Sequence, residues 1–243
     1  MTDALMLATT RVTTYFGNAI LSGATGFFFE RDDRLYLVTS RHVVHETGSG
    51  HAPDRLEIEL HTDETDLTRV KSVSLPLYAG GLSAWHAATD SCGDIDVAVI
   101  DIDRSTLPPG ARLCGFTPTH LQDRLEDVEI GTSLLVPGFP LGFHDTVHHL
   151  PVVRFATVAS SFGVRFQGQG FFLTDARTHR GTSGAPVVMR SGRSGEGGLP
   201  WKLLGVHSAR MDMGGRDPNQ DESLGLNCAW YADVLMALTK PRA

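Results

Sequence analysis

Cysteine is scarce in this chain, and no long apolar run leads it. Only three of 243 residues are cysteines, Cys92, Cys114 and Cys228, too few and too scattered for a disulfide framework or a zinc site. They read as buried free thiols, which suits a reducing compartment. The start, Met1-Thr2-Asp3-Ala4, has no basic region ahead of a hydrophobic stretch, so no signal peptide is expected. No segment approaches the length of a membrane span, and there is no internal repeat or low-complexity tract. Basic charge is also in deficit: 21 Lys and Arg stand against 28 Asp and Glu, a net charge of -7. That balance argues against wholesale binding to nucleic acid or to an anionic membrane. The expectation is a soluble, cytoplasmic protein that needs no metal and no cofactor.

What is present is ordinary globular chemistry, 41% hydrophobic and 20% charged residues, enough chain for one large domain or two small ones sharing an interface. Residues 4 to 22 mix apolar residues with threonines, and Gly23-Ala24-Thr25-Gly26 then breaks the pattern. Phe27-Phe28-Phe29-Glu30 and Leu35 to Ser40, around Arg31-Asp32-Asp33-Arg34, give a good hairpin signal. That second run leads into Arg41-His42-Val43-Val44. Leu56 to Leu60 and Val70 to Leu77 alternate as half-buried strands, with an acidic exposed loop at 61 to 66 between them. Asp94-Ile95-Asp96-Val97-Ala98-Val99-Ile100 carries acids into a nearly continuous apolar run; Asp94 suits a surface, whereas Asp96 abuts the buried part and needs a partner.

Residues 104 to 127 are rich in proline and turn-formers and read as a connector, so two units are expected, 1–113 and 114–243. Strand candidates follow within 131–140 and at 152–158, 163–167, 170–174, 203–208 and near 224–228. Glycine-rich loops are expected at 189–200 and 211–222. Trp230, Val234, Leu235 and Leu238 have helical spacing. Many short strands with one terminal helix indicate an all-β protein carrying a C-terminal α-helix.

Gly181-Thr182-Ser183-Gly184-Ala185-Pro186 is the most informative stretch. Glycine on either side of a serine permits backbone dihedrals closed to other residues and clears room for a substrate. Such a turn can expose the hydroxyl while the amides of Gly181 and Ser183 converge where an oxyanion would develop. Taken alone, Gly-Thr-Ser-Gly is also plain loop punctuation, and His42 at a strand end could be structural. A nucleophilic serine requires a base and an orienting acid elsewhere in the chain.

In chain order, His42, Asp96 and Ser183 lie at strand ends or loops of an all-β pattern. Thr39-Ser40-Arg41-His42-Val43-Val44 resembles the histidine stretch of trypsin-like serine peptidases, Asp96-Val97-Ala98-Val99-Ile100 their acid-bearing strand, and Gly181 to Pro186 their nucleophile loop. Thr25-Gly26-Phe27-Phe28 and Gly138-Phe139-Pro140-Leu141-Gly142 add to the match, and Thr174-Asp175-Ala176 is similar to the HtrA-type bacterial branch. The resemblance covers almost the whole chain. It implies two antiparallel β-barrels (chymotrypsin-like) with a cleft between them. It further implies a His42-Asp96-Ser183 triad working through an acyl-enzyme, with Gly181 and Ser183 as oxyanion hole. Protein or peptide would be the substrate.

Departures from that pattern shape further expectations. Thr182 replaces the aspartate that digestive members pair with a freshly cut N-terminus, no Ile-Val-Gly-Gly-like start precedes His42, and Arg180 replaces the branch's usual proline. Control is therefore expected from loop ordering, a regulatory partner protein or a neighbouring domain in another chain, and no PDZ domain is expected after the peptidase. By offset from Ser183, Arg177 and Thr178 should adjoin the specificity pocket, with His207 and Ser208 opposite. A histidine there resembles glutamyl endopeptidases and viral 3C-like peptidases, which implies acidic or amide side chains before the scissile bond. Equally, His207 could be a core histidine and Arg177 could point outward, leaving a pocket for small apolar side chains. A pseudopeptidase or partner-regulated binding module of the same fold is the alternative function.

Overall fold

The computed structural model describes residues 3–191, 199–211 and 224–240. A short helix α1 (Ala4–Ala8), capped by Asp3 through Leu5 N–H (2.9 Å), leads into β1 (Thr9–Phe16). Next come β2 (Ala19–Arg31) and β3 (Arg34–Thr39), joined by Asp32 and Asp33 at φ 52 and 61°. Two left-handed residues in a two-residue connection match the right-handed twist of the paired strands. One helical turn, α2 (Arg41–Val44), follows at once.

The first sheet continues through β4 (Arg55–His61) and β5 (Val70–Pro76). Short pieces come next: β6 (Tyr78–Ala79), β7 (Leu82–Ser83), β8 (Trp85–His86), β9 (Thr89–Asp90) and β10 (Gly93–Asp94), and then β11 (Ala98–Ile102). Seven antiparallel strands are ordered β5-β4-β1-β2-β3-β11-β8. Between the two edge strands, β6 and β7 form a small hairpin whose base is closed by Ala84 N–H donating to the Leu77 carbonyl (2.9 Å). The second sheet comprises β12 (Ser133–Gly138), β13 (Val152–Thr157), β14 (Phe171–Thr174), β15 (Pro186–Arg190), β16 (Trp201–Arg210) and β17 (Asn227–Tyr231), ordered β13-β12-β15-β16-β17-β14. A bridge between Val158 and Thr174 joins its two edges. The connector holds only 3₁₀ turns, at Arg104–Thr106, Pro118–His120 and Leu125–Asp127.

The run Phe27-Phe28-Phe29 does not alternate because β2 is apolar on both faces. Phe28, Leu35 and Leu37 fill the interior of the first sheet, whereas Phe27, Phe29, Tyr36 and Val38 face a seam shared with Val188, Leu203, Val206 and Trp230. Successive strand residues point to opposite faces, so a strand between two cores reads as continuous hydrophobicity. At about 1.5–3 kcal/mol for each fully buried large side chain, this seam fixes how the two sheets meet. Helix α3 (Leu235–Leu238) drops Leu235 and Leu238 into the seam, and Arg31 donates to the Met236 carbonyl (2.8 Å).

Several local expectations differ from the structure. Residues 163–167 form no strand, since Gly163 (φ 82°), Gln167 and Gly168 take left-handed dihedrals around a 3₁₀ turn at Phe166–Gly168. Trp230 is a strand residue paired with Val206, and the helix starts only after a 3₁₀ turn at Ala232–Val234, because sheet pairing overrides the helical spacing. The strand expected near 224–228 runs from Asn227 to Tyr231. Residues 4–22, for which the sequence offers no element, hold α1, β1 and the exposed start of β2. Within the expected loop at 189–200, Met189 and Arg190 belong to β15, while 192–198 lie outside the described residues, as do 212–222 of the second loop. All three cysteines are free, but Cys92 is exposed rather than buried. Among the described residues, no helix is long and apolar enough to cross a membrane.

Candidate active site

His42 sits in the single turn α2, immediately after β3 has run through the core; its helical turn swings the imidazole off the end of the sheet. Asp96 lies just ahead of β11, which pairs with β3, so Ala98 opposite Thr39 brings the acid beside the histidine. The carboxylate receives two bonds from one residue: His42 N–H to Oδ1 (2.8 Å) and His42 Nδ1 to Oδ2 (2.7 Å). A carboxylate only accepts, so Nδ1 carries the proton and Nε2 keeps its lone pair. The Ser208 hydroxyl donates to the same Oδ2 (2.5 Å). Asp96 thus has the partners that its position requires. Burial alone would push the His42 pKa down, but the hydrogen bond and charge of Asp96, with Glu46 adding to them, leave it above the ordinary histidine value of 6.5.

Ser183 reaches the same place from the second sheet, on the turn before β15. Thr25 of β2 pins that turn. Its N–H donates to the Ser183 carbonyl (2.9 Å), and its hydroxyl donates to the Gly181 carbonyl (2.7 Å) while accepting from Phe139 N–H (3.1 Å). Gly184 N–H donates to the His207 carbonyl (2.8 Å), which also accepts from the Ser40 hydroxyl (3.2 Å). Two glycines are required here. Gly181 has φ 93°, and a Cβ on it would stand 2.5 Å from the Phe139 carbonyl oxygen; Gly184 has φ 86°, and a Cβ on it would strike the Thr25 carbonyl and the Thr39 hydroxyl.

The Arg180 carbonyl accepts from Leu141 N–H (2.6 Å). In a trans peptide the carbonyl and the following N–H point in opposite directions, so this bond aims Gly181 N–H away from Leu141. Among the described residues, neither Gly181 N–H nor Ser183 N–H meets an acceptor. Leu141 itself holds φ 54°, a left-handed dihedral that costs a non-glycine residue roughly 1–3 kcal/mol and is 73% exposed. A cleft of about 480 Å³ opens beside His42, Glu46, Arg180, Gly181 and Ser183. The Ser183 hydroxyl donates to the Ser208 carbonyl (3.0 Å) rather than to His42.

A trypsin-like peptidase domain model matches residues 24–194, well over half of the chain and spanning His42, Asp96 and Ser183. This chain belongs to the trypsin-like peptidase family. Its fold is also that of two solved structures. One is a serine endoprotease from Yersinia pestis (16% identity, TM-score 0.56), the match covering 96% of this chain and 62% of that protein. The other is Rv3671c from M. tuberculosis H37Rv, a serine-to-alanine mutant in an inactive form (16% identity, TM-score 0.52, covering 99% and 91%). This trypsin-like domain therefore spans less than two thirds of the Yersinia pestis protein. Among curated proteins, none matches the sequence significantly.

The remaining residues expected near the serine are placed unevenly. Arg177 is exposed, whereas Thr178 is buried with its hydroxyl spent on Asn227 Oδ1 (2.5 Å). Ser208, expected to meet substrate, instead directs its hydroxyl to Asp96. His207 is 2% exposed; burial and the neighbouring His42 push its pKa down to about 4 against the pull of Asp96, so it is neutral, and its Nδ1 has no partner. Sequence reasoning missed Thr25 as a brace, Leu141 N–H as the group orienting Gly181, and Glu46 as a second charge on His42. The words Thr25-Gly26 and Gly138 to Gly142 carried a signal of likeness but none of role.

Proposed function

We propose that the chain is a serine endopeptidase in which Ser183 attacks a peptide carbonyl and His42 takes its proton. His42 then returns that proton to the leaving amine, with Asp96 holding the imidazole tautomer and the imidazolium. The observation that carries this is the paired contact of His42 with one carboxylate beside a serine flanked by two unengaged amides. Those amides would bind the oxyanion, each supplying about 10²–10³ in rate. Attack requires a turn of the Ser183 side chain from the Ser208 carbonyl toward His42 Nε2. This parked hydroxyl is also what supports the second reading, a binding module of the same fold switched by a partner protein. The free thiols are in keeping with a cytoplasmic, reducing setting. The cleft lies between units that we divide at 1–113 and 114–243.

For specificity, we carry forward the amide half of the acidic-or-amide expectation. Arg177 is solvent-exposed, and Thr178 and Ser208 are already paired. What remains is a neutral His207, buried in this structure with its Nδ1 unpartnered and closed to solvent, so engaging a substrate side chain requires its ring to be uncovered. A glutamine or asparagine side chain can donate or accept without bringing a charge to bury, whereas a lysine or arginine would be desolvated without a partner. Cleavage of a peptide library by wild type, Ser183→Ala, His42→Ala and His207→Ala tests both levels. Turnover should vanish in the first two variants, and the amide preference should vanish in the third. Proteolysis surviving Ser183→Ala would refute the enzyme reading. A preference for Val, Ala or Leu indifferent to His207→Ala would refute the pocket alone.

A further inference from the structure

Away from the triad, one cluster of side chains combines metal-binding chemistry with a position that bears on the oxyanion loop. Glu59, on β4, lies beside His144 and His149, from the loop joining β12 to β13, with one ligand atom of each within 4.8 Å of the others. None of the three belongs to the apparatus assigned above. Glu59 Oε2 and His149 Nδ1 are 3.1 Å apart. Two ligands at about 2.0–2.1 Å from a tetrahedral ion lie about 3.3–3.4 Å apart, so this pair already spans one edge of such a site.

The surroundings orient each ligand. His144 Nδ1 bonds the Gly142 carbonyl (2.6 Å) and so carries the proton there, which leaves Nε2 as its free lone pair. This is the outer-shell arrangement that ligating histidines adopt. Arg11 engages Glu59 Oε1, which fixes the carboxylate and leaves Oε2 as a single ligand oxygen. The Glu59 backbone is tied to the Thr10 hydroxyl on β1 (N–H to Oγ1 3.2 Å, carbonyl 2.8 Å). His149 holds φ 55°, a left-handed dihedral uncommon for non-glycine residues but one that histidine takes more readily than most. The loop is fastened further by His61 Nε2 on the His148 carbonyl (2.7 Å) and by Asp145 N–H on the Leu150 carbonyl (3.1 Å).

We propose that Glu59, His144 and His149 bind a divalent transition-metal ion, with zinc the best fit, and that the ion braces the loop that orients Gly181. Two imidazoles and one carboxylate form a set suited to zinc, with the fourth position left to water or another ligand. The ion would fasten the loop of residues 139–150 to β4. Leu141, on that loop, donates to the Arg180 carbonyl and thereby aims Gly181 N–H. Binding stands independently of any catalytic assignment; the effect on turnover rests on the peptidase reading.

Equilibrium dialysis of the chelator-stripped chain against zinc tests binding directly, with cobalt absorption reporting four-coordinate geometry. Wild type should bind one equivalent, and Glu59→Gln, His144→Ala and His149→Ala should each weaken binding at least tenfold. Zinc should raise the melting temperature of wild type but not of the variants. Each variant must first melt cooperatively in chelator, which its partly exposed position permits. No binding, or binding that all three substitutions leave unchanged, overturns the site and leaves the cluster a plain ion-pair network. Turnover should fall several-fold when the metal is stripped from wild type and not from His144→Ala. Stoichiometric binding with unchanged kcat would overturn the bracing role. Dialysis needs no substrate, so failure of the metal site and failure of the peptidase reading are separately visible.

Discussion

Thr25→Val isolates the brace that ties the nucleophile turn to the first sheet. Thr25 is fully buried, and valine keeps its shape while removing one hydroxyl. Two groups then lose a partner, the Gly181 carbonyl and Phe139 N–H. A buried polar group left unsatisfied costs about 1–3 kcal/mol; Phe139 N–H is buried, while the Gly181 carbonyl is only partly so and sits at the low end. The sum is about 2–4 kcal/mol. At roughly 2–4 °C per kcal/mol for a chain of this size, the melting temperature should fall by about 4–16 °C. Gly181 should also drift, lowering kcat at least tenfold with a smaller change in KM, because the amide acts on the transition state. Thr25→Ser keeps the hydroxyl and should restore most of both, short of about 1 kcal/mol for the lost methyl. Calorimetry with peptide hydrolysis decides the matter. A Thr25→Val protein within about 0.5 kcal/mol of wild type and fully active would show that the Thr25 hydroxyl does not brace the turn.

Three further outcomes follow from the site. The pKa of His42 is raised, and the base must be neutral to work, so kcat/KM should rise with pH through a value above 6.5 and fall off below it. By linkage, the stability contributed by the protonated His42–Asp96 pair is full below 6.5 and is lost as pH rises through the raised value. Asp96→Asn should move the acid limb down and cut the plateau by about 10³–10⁴; an unmoved limb in a pH-rate profile would count against the assignment. Gly184→Ala should cost about 3–5 kcal/mol in denaturant unfolding, since its Cβ strikes backbone at a left-handed dihedral. Timed alkylation should find three free thiols, Cys92 reacting first and Cys228, whose thiol burial pushes up to about 11, last; a protected pair would refute it.

The features legible in the sequence were those written in contiguous residues. Asp32-Asp33 between two apolar runs announces the β2–β3 hairpin, and the words around His42, Asp96 and Ser183 are local. Three-dimensional partnerships were not legible. The Ser208 hydroxyl meets Asp96 across 112 residues, and the Thr25 hydroxyl meets Gly181 across 156. Glu59 and His149 are 90 residues apart. Nothing in their local patterns distinguishes such polar residues from surface ones. Trp230 was misleading because its spacing to Val234 suits a helix, while its backbone pairs in a sheet. Arg177 and Thr178 were placed by offset alone, which fixes a backbone position but not the direction of a side chain.

The proposed mechanism makes Ser183 a nucleophile rendered reactive by His42. A fluorophosphonate probe, read by intact mass and peptide mapping, measures this without any knowledge of the natural substrate. One adduct should form on Ser183, slowed by orders of magnitude in His42→Ala and absent in Ser183→Ala. A wild-type protein, folded by calorimetry yet inert to the probe, or modified equally in His42→Ala, would mean that His42 does not activate Ser183.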